Sequence, residues 1–128
     1  MPLNRIFVLS AFLLLMFALP ALADDAAHSY FELADAPKIA VDWNKGSTQS
    51  VTLGSNRTVT FSNGQKGGKY SLIVKQDAHG SRIVTWPTIV HWPGGSAITL
   101  TGTANKKDYI TFFYDGVSYD VVGFTQNL

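Results

Sequence analysis

KYSLIVKQDAHGSRIVTWPTIVHWPGG, residues 69–95, sets two Trp-Pro pairs directly after runs of strand-forming residues. Proline fixes its own φ, removes a hydrogen-bond donor and pushes the residue before it into extended geometry. Trp86 and Trp92 are therefore held extended where sheet pairing must stop or reach an edge. Within the same stretch, Tyr70 to Gln76 is apolar on both faces near its middle, the pattern of a central strand. Ile83, Val84 and Thr85 lead into the first Trp-Pro, and Pro93-Gly94-Gly95 turns the chain after the second.

The rest of the chain repeats this alternation of short β-like runs and turns. Upstream, Ile39, Val41 and Trp43 alternate with Ala40 and Asp42, and Val51 and Leu53 close a second run. Val59 and Phe61 then oppose Thr58 and Thr60. Asn44-Lys45-Gly46 and Gly54-Ser55-Asn56 separate these runs, and residues 63–68 (NGQKGG) read as a flexible loop. Downstream, Ile98 to Thr101 reads as a short strand. Tyr109 to Tyr114 and Val117 to Phe124 flank Asp115-Gly116, a hairpin signal because a type I′ turn needs positive φ at both central residues. All eleven glycines lie from Gly46 onward. One turn of helix is expected over Ser29–Ala36, where Ser29 and Glu32 match a capping box and Pro37 stops it. Turns about every ten residues predict an all-β fold, an antiparallel β-sandwich of jelly-roll type.

Ahead of the β region, Arg5 precedes the uncharged apolar run from Ile6 to Leu19, and Ala21-Leu22-Ala23 fits the small-x-small rule for signal peptidase. The run is shorter than the ~20 residues that span a bilayer, and no cysteine follows it to carry a lipid. The expected organisation is a signal peptide at 1–23, a linker at 24–37 and one β-sandwich domain at 38–128. Export to the periplasm or the exterior follows, with no membrane attachment after cleavage. Removing 23 residues from 128 leaves 105, a length suited to one domain. Without cysteine, such a domain relies on an apolar core and a well-paired sheet although its compartment permits disulfides. The leader takes away only Arg5 among charged residues, so nine basic residues balance nine acidic ones. Nucleic acid and anionic lipid call for a basic face, and that balance argues against both as partners.

Catalytic patterns are sparse. There is no Gly-x-Ser-x-Gly elbow and no HExxH. His28, His79 and His91 show no metal-ligand spacing. Asp77 and His79 could chelate from one strand face, but beside Gly80-Ser81 they read as a polar hairpin turn. Asp115 and Asp120 could pair as glycosidase carboxylates, but the turn accounts for the first and an outward strand position for the second. Gly64 to Gly68 lacks the Lys-Ser/Thr and strand-to-helix context of a phosphate loop. No cofactor or metal is expected, and the chain does not read as an enzyme.

From about Lys38 to Phe124 the chain also resembles the small β-domains of bacteriophage virion and tail-fibre proteins, found near a fibre's C-terminus. The resemblance runs through Val41-Asp42-Trp43-Asn44-Lys45-Gly46, Gln49 to Leu53, and Asn56-Arg57-Thr58 to Asn63. It continues through Gly68-Lys69-Tyr70-Ser71-Leu72, Lys75-Gln76-Asp77 and Val84-Thr85-Trp86-Pro87. Trp92-Pro93-Gly94-Gly95, Leu100-Thr101, Ala104-Asn105 and Phe113-Tyr114-Asp115-Gly116 complete it. It implies a structural or adhesive module without catalysis, frequently a trimer on a fibre. Virion proteins usually assemble inside the cell, so the signal peptide makes this chain look like a free-standing exported relative.

Two functions stay open from the sequence. One is a non-catalytic binding or adhesion module for a surface glycan or a protein. The other is a structural unit that self-associates in a tail-fibre-like particle. Trp43 and Trp86 are expected in the core, where each ring can bury about 150–250 Å². The candidate ligand-binding residues are Trp92, Pro93 and Gly94, at a loop mouth, with Tyr119, because an exposed ring suits stacking on a sugar. The processing expectation is directly testable: the exported protein should have an intact mass that begins at Asp24. A full-length, membrane-bound chain would overturn it.

Overall fold

The computed structural model describes residues 29–128; the expected signal peptide, its expected cleavage site and His28 lie outside the described residues. Nine strands follow in order: β1 (Tyr30–Glu32), β2 (Lys38–Asp42), β3 (Thr48–Leu53), β4 (Arg57–Ser62), β5 (Lys69–Gln76), β6 (Val84–Thr85), β7 (Val90–His91), β8 (Lys107–Tyr114) and β9 (Tyr119–Thr125). They form a six-stranded sheet in the order β1-β3-β5-β8-β9-β7 and a three-stranded sheet in the order β2-β4-β6.

The all-β class is as expected, but the antiparallel jelly-roll pairing is not. Five of the seven ladders are parallel, and only β5–β8 and β8–β9 are antiparallel. From β1 to β6 the chain alternates between the sheets, so each turn of a coil stacks on the one before. Tyr30 lies beside Thr48 and Thr48 beside Ser71 in the large sheet, while Lys38 lies beside Thr58 in the small one. The crossover that parallel strands require is here a strand of the opposite sheet with a corner at each end. Alternation and turn residues mark strands and corners alike. They do not say whether the next strand pairs with its predecessor or leaves for the other sheet. The expected polar hairpin at Asp77–Ser81 is accordingly a corner, carrying the chain from β5 to β6.

Two further expectations change at the ends of the fold. Residues 30–32 are extended rather than helical, and β1 pairs with β3 inside the segment expected as linker. One isolated helical turn is worth little, whereas Tyr30 and Phe31 gain a ladder. The β8–β9 hairpin exists, but its loop is Asp115–Ser118 and only Gly116 has positive φ, 95°. Asp115 Oδ1 instead accepts from the amides of Val117 (2.8 Å) and Ser118 (2.7 Å). That wider turn delays the second strand to Tyr119.

The inner faces of both sheets share one core. Ile39, Val41 and Val59 from the small sheet meet Val51, Leu53, Leu72, Val74, Ile110 and Phe112 from the large one. β5 is central as its pattern predicts: Tyr70, Leu72, Val74 and Gln76 alternate inward, and Ile73 is half-buried on the outer face. One end of the core is aromatic. Trp43 stacks on Tyr70 with centroids 4.7 Å apart, Phe61 meets Phe112 and Tyr119 edge-on, and Tyr114 stacks on Tyr119 at 4.3 Å.

The 63–68 loop is laced onto that aromatic end rather than flexible. The Tyr119 hydroxyl accepts from the Gly64 amide (3.1 Å), and the Tyr70 hydroxyl accepts from the Gln65 amide (2.7 Å). A Cβ at Gly64 would sit 2.3 Å from the Tyr119 hydroxyl, so glycine is required there for close approach. Leu72, fully buried in the middle of β5, is the simplest probe of this core. Leu72→Ala should cost about 2–5 kcal/mol in urea unfolding, and a cost under about 1 kcal/mol would place β5 at the periphery.

Candidate functional site

The large sheet has three strands more than the small one, and beyond the contacts of Phe61 with Phe112 and Tyr119 the inner faces of β8 and β9 need other cover. The span from Trp86 to Leu100 covers them. Trp86, Trp92, Ile98 and Leu100 all pack against the core cluster. The expected strand at Ile98–Thr101 is not part of either sheet, because β6 is only two residues long and Trp86-Pro87 ends it before a neighbour can pair. Side chains hold this segment instead. Gln76 Nε2 donates to the carbonyl of Thr101 and Gln126 Nε2 to that of Thr99, at 2.9 and 2.7 Å.

Trp86 and Trp92 meet edge to face, with centroids 5.3 Å apart and planes at 66°. Trp92 is half-buried and followed by a 3-10 turn over Pro93–Gly95, which is exposed. Gly94 and Gly95 hold φ of 73° and 82° with open space around them, so glycine serves the backbone conformation there. Beside this turn, Ile83, Val84, Trp86, Ile98, Thr99 and Leu100 line a cleft of about 200 Å³. Trp86 is the shared wall: one of its neighbours is Trp92, and it also borders the cleft.

The four residues singled out from the sequence are thus divided. Trp92, Pro93 and Gly94 sit together at the turn. Tyr119 is only 3% exposed and belongs to the aromatic end with Phe61, Tyr70 and Tyr114. Burial pushes its phenol pKa up, against the hydrogen bond from Gly64. Ile83, Ile98, Thr99 and Leu100 were not singled out as a site, although Ile98–Thr101 stood out as a β-prone run. Nothing in one dimension marks such a run as the wall of a cleft.

Asp108 fixes the far wall. It is 1% exposed, yet its carboxylate accepts from the amides of Thr101 (2.7 Å) and Asn127 (3.0 Å) and from Gln126 Nε2 (3.2 Å). Burial works to raise its pKa, but these hydrogen bonds outweigh it and hold the carboxyl below its usual value. A depressed folded pKa contributes stability above the unfolded value, about 3.9, and that stability is lost as pH falls through the folded one. Thermal unfolding should therefore shift down on acidification below about pH 4. Asp108→Asn should lower the midpoint at pH 7 and flatten the acid slope; an unchanged midpoint and slope would show that the carboxylate clamps nothing.

Other polar groups form pairs and turns. His91 Nδ1 lies 3.5 Å from Asp120 Oδ1, and the Ser118 hydroxyl donates to the same oxygen at 2.9 Å. Asp77 accepts from the His79 and Gly80 amides and from the Arg82 guanidinium. Among the described residues no cluster of three His, Cys, Asp or Glu could hold a metal ion, and no helix is long and apolar enough to cross a membrane.

No curated protein matches the chain. Residues 36–119 match the family described as "Putative phage tail fibre C-terminal domain". That span takes in β2 to β7, the Trp92 turn, the cleft and the whole of β8. The chain belongs to this phage tail fibre C-terminal domain family, whose members are fibre modules of structural type.

Proposed function

We propose that the chain is an exported, non-catalytic recognition module that engages a surface glycan or protein through the Trp92 turn and the adjoining cleft. The observation that carries this reading is the continuity of the two through Trp86, which sets a half-exposed indole on a proline-fixed turn beside an apolar recess. A fixed loop loses little entropy on binding, and stacking on an indole needs no charge, in keeping with the balanced chain. Polarity within the domain supports the reading too. The chain enters at β1, on one edge of the large sheet, and the Trp92 turn follows β7, on the other edge. Five strand spacings of about 4.8 Å put these edges on the order of 24 Å apart, so the turn lies across the sheet from β1. Export rests on the apolar leader, which lies outside the described residues.

Family membership favours a second reading, a structural unit that assembles with copies of itself or with other fibre proteins. Trp92→Ala addresses the first reading. Mature native and variant proteins are compared on a glycan array and in a cell-wall pull-down, with circular dichroism as the control on fold. Loss of binding with an unchanged spectrum is expected. Binding that survives the substitution would remove the Trp92 turn from the function.

A further inference from the structure

Charge is balanced over the whole chain but not over its surface. Alternation along β3, β5 and β8 buries one set of residues and leaves the other on the outer face of the large sheet. On that face the ladder sets Lys75 beside Lys107, Ile73 beside Tyr109 and Ser71 beside Thr111. Lys69 stands at the other end of β5. The outer faces of these three strands thus carry three lysines and no carboxylate.

The Lys75–Lys107 pair has no explanation within one chain. Like charges directly opposite each other across a ladder are destabilising. Lysine protects edge strands from stray pairing, but β5 and β8 each have a neighbour on both sides. Among the described residues no carboxylate lies within ion-pair distance of either ammonium. The two acids of this face stand at its margins and are engaged. Glu32 on β1 accepts from the Tyr30 hydroxyl at 2.9 Å, and Asp120 on β9 lies beside His91. Lys107 Nζ sits over the Tyr109 ring, 5.6 Å from its centroid, so a cation and an aromatic ring are presented together. In the next row the Ser71 and Thr111 hydroxyls are 3.3 Å apart, and each keeps further hydrogen-bonding capacity.

We propose that the outer face of β5 and β8 is a second binding site, separate from the Trp92 turn, that takes an acidic polysaccharide lying along the two strands. The apolar face of a sugar ring seats on Ile73 and Tyr109, and the Ser71 and Thr111 hydroxyls meet its polar edge. A carboxylate between Lys75 and Lys107 turns their mutual repulsion into attraction to a shared anion. Lys69 and Lys75 are six positions apart on β5, about 20 Å at about 3.4 Å per residue. Reaching both ends takes a chain of several sugars. Nucleic acid suits the face less well, because three lysines offer few of the phosphate contacts that carry its affinity. Trp86 and Trp92 pack against the core on the inner side of the same sheet, so the two surfaces are distinct.

Binding of the mature protein to polygalacturonate is measured at low salt, with neutral dextran and an oligothymidylate alongside. Lys75→Glu sets opposite charges across the ladder. Lys38→Glu, exposed on β2 of the small sheet, makes the same change in net charge elsewhere. The expected result is binding to polygalacturonate alone, weakening as salt is added. Lys75→Glu puts a like charge against the ligand and should lower affinity by about tenfold or more. It should melt no lower than the native chain, and Lys38→Glu should bind as the native chain does. No binding to polygalacturonate, binding to dextran or oligothymidylate that is as tight, or an equal loss in Lys38→Glu overturns the site. A lower melting temperature for Lys75→Glu assigns that lysine to the fold and overturns it too. Each of these proteins keeps Trp92, so failure here leaves the Trp92 turn to its own test.

Discussion

A chain that changes sheets at every strand from β1 to β6 cannot satisfy its corner amides by ladder bonding, and that part of the fold depends on side chains taking over the task. Four of the corners have their own side-chain donor or acceptor set. Asp42 and Gln49 hold the corner between β2 and β3, where Gln49 Nε2 donates to the carbonyls of Asp42 and Gly46 at 2.7 and 3.0 Å. Asp35 takes both the Gly54 amide and a two-pronged contact from Arg57 at the next corner. The Tyr119 and Tyr70 hydroxyls serve the corner between β4 and β5, and Gln76 with Asp77 serves the one after β5. A buried amide left unpaired costs free energy comparable to a lost hydrogen bond, so these few polar side chains decide that the coil closes at all.

The candidate site follows from how the coil stops. After β6 there is no further strand in the small sheet, yet β8 and β9 still present apolar inner faces. Aromatic and aliphatic side chains from an irregular span are the available cover. A cover without its own ladder is laced by side chains and fits less evenly than a strand. The recess between β6 and Ile98–Leu100 is the result. Its position at the open end of the small sheet, beside a proline-fixed turn, is a by-product of architecture that a ligand can use.

The final hairpin performs two tasks at once. β8 pairs antiparallel with β5 and so ends the stack of parallel strands in the large sheet. β9 carries Tyr119 inward to the aromatic end and leaves its second half open. Asp108, at the start of the hairpin, ties the C-terminal residues to the wall of the cleft. The same two strands therefore close the core and shape the site.

Much of this was legible in one dimension. Alternating side chains located the strands through the middle of the chain, the apolar heart of YSLIVKQ marked β5 as central, and glycine and proline marked the corners. The ordered signature around Trp86 and Trp92 pointed to the family. Pairing direction was not legible, because a strand's period of two is the same whether its neighbour runs with it or against it. Nor was the role of Tyr119, whose ring is sealed in by Phe61, Tyr70 and Tyr114 from other strands. The sequence determined where strands start and stop and which faces are apolar, since these are properties of neighbouring residues. Only the tertiary structure decided which strands lie side by side, which aromatic rings are sealed in and which stay at the surface, because those depend on contacts between residues far apart in the chain.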